Sequence, residues 1–400
     1  MIHRRLQIPG GMQDTLPSEC AAKRSIENTL RALFALNGYQ EIETPILEYY
    51  DALNDETWGY SPEHLWKTFD PDGRVLALRP DTTIPAARLA AGRLQQNALP
   101  LRISYLQSAC KYERDTLSML SEQTQAGVEL MGVESPQADA EVIALAVESL
   151  KRAGVQHFQI ELGQAAFFDG FLEEAGLDTE NIQTLRKLTE EKNTLGIQML
   201  LRKLDVSEDV TRRLTKLPLL YGPISKISKA REMTTSPVCA EALDNLEEVI
   251  EILRMYGCAD ELTLDLGMAQ EAGYYSGTVF RAQTAHVGQP ILSGGRYDGL
   301  NARFGRPLPA VGFAMSLKLA LIALERQGVV FENPVTDCEI GFDASRMSDA
   351  INLAQEMRQQ GRRVSLAYDM TEDELKNRQG RGICREWIYL SASGEVQTHE

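Results

Sequence analysis

What most limits the folds open to this 400-residue chain is that its strand-like runs follow one another without a helix between each pair. Runs at 74–79, 101–112 and 124–131 are each bounded by turn residues, and further runs lie at 155–162, 261–266, 274–283 and 290–293. A doubly wound parallel sheet needs a crossover helix between successive strands. The order here therefore predicts an α+β protein, an antiparallel sheet flanked by helices. Residues 18–37 read as an amphipathic helix: Pro17-Ser18 starts it, Ile26, Leu30, Leu33 and Phe34 form its apolar stripe, and Gly38 stops it. Residues 39–45 alternate and end in Pro45, as an edge or interface strand would. A helix is expected over 139–153, capped by Asp139 and closed by Gly154, and another over 314–327.

From about 166 to 257 the pattern is helical throughout, an insertion between strands. Residues 335–400 read β-α-β-α-β, a small separate α/β module. The predicted organisation is a large domain over 1–325, with the insertion at about 166–257, and a second domain over 331–400.

Composition narrows the function classes. Hydrophobic content of 43% and charged content of 24% suit a soluble globular protein. No run of about 18 apolar residues occurs and the N-terminus lacks a secretory apolar stretch, so a membrane role is not expected and a cytoplasmic location is. Six cysteines without a CxxC pair read as reduced thiols, and five scattered histidines predict no metal site. A net charge of −16 argues against nucleic-acid binding.

The motifs then resemble class II aminoacyl-tRNA synthetases, histidyl-tRNA synthetase above all. Gly11-Met12-Gln13-Asp14-Thr15-Leu16-Pro17 is similar to that family's N-terminal signature, and the helix and strand ending at Pro45 resemble motif 1, the dimer interface. Residues 68–83, carrying Leu78-Arg79-Pro80-Asp81-Thr82-Thr83, match the segment that reaches the amino acid, and 110–132 match motif 2. Ser293-Gly-Gly-Arg-Tyr-Asp-Gly-Leu300 matches the signature loop, and Ala310-Val-Gly-Phe-Ala-Met315 opens motif 3. The likeness covers roughly residues 6–325.

The resemblance implies a histidine pocket formed by Asp81, Thr83, Arg114, Gln125, Glu129, Tyr274 and Tyr275. Carboxylates and hydroxyls suit an α-ammonium group and two imidazole nitrogens. Asp81 stands where the family has glutamate, one methylene longer. Gln125 and Glu129 are four apart, so in a regular strand both project to one face.

Adenylation needs guanidinium groups to stabilise charge on the α-phosphate, and ammonium does not reproduce their bidentate geometry. Three family arginines are replaced here, by Lys111 in motif 2, Gln270 in Gln270-Glu-Ala-Gly-Tyr-Tyr275, and Leu319 in motif 3. The motif 2 loop also reads Ser118-Met119-Leu120-Ser121 where the family carries arginines. Losing one such donor costs about 3 kcal/mol of transition-state stabilisation. In the synthetases the C-terminal region binds the anticodon, but residues 331–400 hold 13 acidic against 8 basic residues, net −5, a poor RNA platform.

Histidine binding without activation is what the resemblance to regulatory subunits of ATP phosphoribosyltransferase implies. These are synthetase paralogues that catalyse nothing themselves and need no cofactor. The resemblance further implies a partner, the short catalytic subunit, assembled with this chain in a hetero-octamer. L-histidine would be the feedback effector, and self-association would give a homodimer. Bound histidine is expected to order loops near 112–124 and 270–276. An active histidyl-tRNA synthetase and a stand-alone sensor of histidine or tRNA are the alternatives.

Overall fold

A computed structural model describes residues 6–54, 62–112, 121–268 and 274–399. The chain divides into two compact units, Met1–Thr15 with Ala22–Val330, and Leu16–Ala21 with Phe331–Glu400.

Helix α1 (Pro17–Leu36) buries Ile26, Leu30, Leu33 and Phe34, the stripe its spacing predicts. It ends before Gly38, whose φ of +80° is strained for residues with a β-carbon. Strand β1 (Gln40–Glu41) follows, then a three-stranded sheet of β2 (Leu47–Tyr49), β3 (Lys67–Phe69) and β4 (Val75–Leu78) in the order β2-β4-β3. Helix α2 (Thr83–Ala91) leads to the long hairpin of β5 (Leu101–Cys110) and β6 (Glu122–Met131). Then come α3 (Pro136–Arg152), β7 (Phe158–Gln164) and the helical insertion: α4 (Ala165–Ala175), α5 (Thr179–Glu190), α6 (Thr194–Lys203), α7 (Glu208–Lys216), α8 (Ile227–Glu232) and α9 (Pro237–Met255). A two-residue strand, β8 (Tyr221–Gly222), interrupts that block, so it is not helical throughout. The chain returns through β9 (Leu262–Asp265), β10 (Thr278–Thr284), β11 (Val287–Arg296), β12 (Ala310–Ser316) and α10 (Leu317–Arg326).

These strands form one nine-stranded sheet, β1-β5-β6-β12-β11-β10-β7-β9-β8. Every pairing is antiparallel except β1 with β5 and β7 with β9. The antiparallel sheet read from the strand order is therefore the frame of the first unit. One face is apolar: Val128, Leu130, Val311, Phe313, Met315, Phe280 and Leu292 are buried. Helices α3 and α10 pack against the sheet, and Phe34 of α1 meets Phe313 edge-on at 6.1 Å.

Three boundaries differ from the sequence reading. Helix α3 starts at Pro136, with Ser135 as its cap accepting from the Ala138 amide; Asp139 instead lies inside the helix, buried. The expected helix at 314 begins only at Leu317, because Ala314, Met315 and Ser316 pair with β6 and β11 as strand. The run at 274–283 becomes strand only from Thr278.

The second unit carries β13 (Thr336–Phe342), α11 (Met347–Gln359), β14 (Val364–Ala367), α12 (Glu372–Gly380), β15 (Cys384–Leu390) and β16 (Val396–His399), with sheet order β14-β13-β15-β16. Its core gathers Cys338, Ile340, Ala350, Ala354, Met357, Val364 and Leu390. Strand β16 pairs antiparallel with β15 and extends the β-α-β-α-β pattern by one strand. All six cysteines are free thiols. Among the described residues no helix is long and apolar enough to cross a membrane.

Candidate functional site

The face of the nine-stranded sheet opposite the apolar one is paved by register. One row across it reads Ile103, Glu129, Gly312, Gly295 and Val279. The next reads Tyr105, Gly127, Ala314, Ser293 and Arg281, and a third Gln107, Gln125 and Ser316. Directly opposed residues share a face, so Gln125 and Glu129 do project to the same side. Glycines fill the middle of that surface, leaving room for side chains from neighbouring strands.

Glu129 is the centre. It is 1% exposed and accepts hydrogen bonds from the hydroxyls of Tyr105 (3.1 Å, to Oε1) and Tyr297 (to Oε2). The Thr83 hydroxyl also donates to it. No ion pair reaches it from the described residues. Burial pushes its carboxyl up to about 7; the three hydroxyls pull it down less strongly, and the nearby Asp81 charge adds to the rise. The phenols of Tyr105, Tyr297 and Tyr275 are each raised as well, first by burial. A ligand cation would supply the charge this carboxylate lacks.

Asp81, also buried, accepts from the Ile84 amide at 3.1 Å and so ties itself to the first turn of α2, the helix on which Thr83 stands. The Gln125 carboxamide oxygen accepts from the Thr82 amide (3.1 Å) and hydroxyl (3.3 Å). Tyr275 lies over Gly295, where a β-carbon would come within 2.7 Å of its ring. Tyr274 stacks tilted on Tyr275 at 4.8 Å and meets Tyr297 edge-on at 5.9 Å. Thus Asp81, Thr83, Gln125, Glu129, Tyr274 and Tyr275 gather around this face of the sheet. Arg114 and Gln270 lie outside the described residues, as do 113–120 and 270–273 of the two loops expected to order. Lys111 is half-buried and pairs by its backbone with Leu65, and Leu319 is buried in α10.

Tyr105 and Tyr297 are the site residues that the sequence reading did not single out. Tyr297 sits in the signature octad, and that octad has a structural logic. Arg296 donates to Asp139 Oδ1 from Nε at 2.8 Å and from Nη2 at 2.5 Å, both side chains buried, and from Nη1 to Asp298 Oδ1 at 3.0 Å. That pair clamps β11 to α3 and aims the next residue, Tyr297, at Glu129.

Fold and site together define a protein of the class II aminoacyl-tRNA synthetase type, a large mostly antiparallel sheet with a cluster of polar side chains on one face and helices on the other. The profile of the family described as histidyl-tRNA synthetase matches residues 11–320. The chain is 42% identical over 366 residues to an ATP phosphoribosyltransferase regulatory subunit of Acetivibrio thermocellus, covering 92% of this chain and 88% of that one. It is 37% identical over 360 residues to one of Ruminiclostridium cellulolyticum, covering 90% and 86%. A crystal structure from Bacillus halodurans, titled as an ATP phosphoribosyltransferase regulatory subunit/histidyl-tRNA synthetase, superposes with a TM-score of 0.85 at 32% identity, covering 97% of this chain and 98% of that one. The chain belongs to the family of ATP phosphoribosyltransferase regulatory subunits, built on the histidyl-tRNA synthetase fold.

Proposed function

We propose that this chain is the non-catalytic regulatory subunit of ATP phosphoribosyltransferase in histidine biosynthesis, and that it senses L-histidine through the pocket around Glu129. The observation that carries the reading is a pairing of opposites. A buried carboxylate with hydroxyls around it, and no cation on it among the described residues, is kept, while motif 3 offers the buried Leu319 where adenylation needs a guanidinium. The names of the relatives support the same reading. A short catalytic subunit would be the partner, in a hetero-octamer around a homodimer of this chain, and histidine would feed back on the complex. For that, histidine must bind the inhibited arrangement better than the active one, since equal affinity shifts nothing. Residues 331–400, acidic overall, would serve as a truncated counterpart of the anticodon-binding domain without RNA to bind.

Two measurements on the isolated chain test this. Calorimetric titration with L-histidine should give saturable binding, and histidine-dependent exchange between ATP and pyrophosphate should be absent. Robust exchange would restore the synthetase reading; folded protein with no histidine binding would remove the sensor role.

A further inference from the structure

The ligand-free pocket poses a charge problem of its own. Among the described residues, Glu129 is surrounded by Tyr105 from β5, Tyr297 from the turn after β11, Thr83 from α2 and Gly312 from β12, with Asp81 and Tyr275 the remaining titratable groups of that set that face it. All of these are neutral or acidic; not one is a cation. An ionised carboxylate buried beside a second acid with only hydroxyl donors is costly, and taking up a proton relieves it. Hydroxyl neighbours accommodate either state, because each can rotate to donate or to accept.

We propose that Glu129 carries a proton in the empty pocket and releases it to water when the α-ammonium group of the ligand takes its place. This rests on the histidine reading above. The carboxylic O–H bond breaks, its electron pair stays on the carboxylate oxygen, the proton passes to the buffer, and an ammonium N–H donates to that oxygen. Histidine binding is then linked to pH: acid opposes it through Glu129 itself, in addition to any titration of the ligand.

The test is calorimetric titration of the full-length protein with L-histidine in buffers of different ionisation enthalpy. With a carboxyl titrating at about 7, binding at pH 7 should release about half a proton per histidine, falling to about a tenth at pH 8. Tyr297→Phe removes a hydroxyl that favours the ionised form, so release at pH 7 should rise toward one proton. Because that variant can also weaken binding, the infrared carbonyl band of a protonated carboxylic acid gives a ligand-free measure. It should be present in the empty wild-type protein just below neutral pH and missing from Glu129→Gln. Binding without proton release, or with proton uptake, or a wild-type spectrum identical to that of Glu129→Gln, overturns the exchange and leaves the histidine reading standing. Folded protein that binds no histidine at any pH overturns both.

Discussion

A β-carbon on Gly312 would stand 1.7 Å from Glu129 Oε2 and 2.5 Å from the Val128 carbonyl oxygen. The carboxylate can swing away, but the strand backbone cannot. Gly312→Ala should therefore push the Glu129 side chain off its hydroxyl donors, with a loss of histidine affinity of at least tenfold, about 1.4 kcal/mol, measured by titration calorimetry. The raised carboxyl also predicts a stability signature without ligand. Its folded value of about 7 lies above the ordinary 4.5, so the folded state holds this proton more tightly than the unfolded state. Stability from this group is thus present at acid pH and lost as pH rises from the unfolded value through the folded one. Relative to wild type, Glu129→Gln should gain roughly 2 kcal/mol between about pH 5 and pH 8, read from denaturant midpoints at each pH; a flat difference would contradict the titration. Glu129 and Gln125 were marked by the family resemblance, and their spacing of four placed them on one face of the strand, as the register shows. Tyr105 was not, because in sequence it is one more aromatic in a strand-like run. The reason for Gly312 lies in a side chain on the neighbouring strand, which one-dimensional pattern cannot show.

At the level of elements, the correction at α3 separates two buried roles. Ser135→Ala should cost about 1 kcal/mol, the ordinary value of an N-cap. Asp139→Asn, which breaks the buried pair with Arg296, should cost about 3 kcal/mol and disturb the Tyr297 contact as well. Equal small effects in thermal or denaturant unfolding would favour Asp139 as a mere cap. The serine cap was overlooked because Asp139 also reads as a start signal, and only its burial inside the helix rules it out. The insertion is fastened to the sheet by charges that no periodicity reveals. Lys192 Nζ lies 2.6 and 2.8 Å from the two oxygens of the fully buried Asp265, while Arg281 reaches Asp265, Glu161 at 2.6 Å, and Glu190 at the end of α5. Lys192 adopts φ of +55° to do so, a strained backbone for a side chain of this size. Lys192→Met should therefore speed hydrogen exchange across 179–216 while exchange in β5 and β6 stays as in wild type. Uniform acceleration of both would mean the pair holds the whole unit rather than the insertion.

Across the whole molecule, the strand order was enough to predict a mostly antiparallel sheet, because local alternation and the scarcity of crossover helices are both written in the chain. The edge strand expected over 39–45 is present as β1, whereas the short strands β8 and β16 were hidden, being a few residues long and stabilised by their partners. The functional expectation came from residue types set against the family pattern, a carboxylate pocket kept and arginines replaced. It was not legible in the hydroxyl cage of Glu129, which needs three separate segments brought together. The acidic balance of −16 overall and −5 in residues 331–400 predicts that tRNA will not shift in a gel with this protein at physiological salt. The most direct test of the regulatory role is reconstitution: mixing this chain with the short ATP phosphoribosyltransferase catalytic subunit from the same genome and following turnover of ATP with phosphoribosyl pyrophosphate, with and without L-histidine. Turnover that appears on mixing and is suppressed by histidine, but not in a Gly312→Ala complex at the same concentration, is the predicted result; two folded chains that neither associate nor gain activity would contradict it.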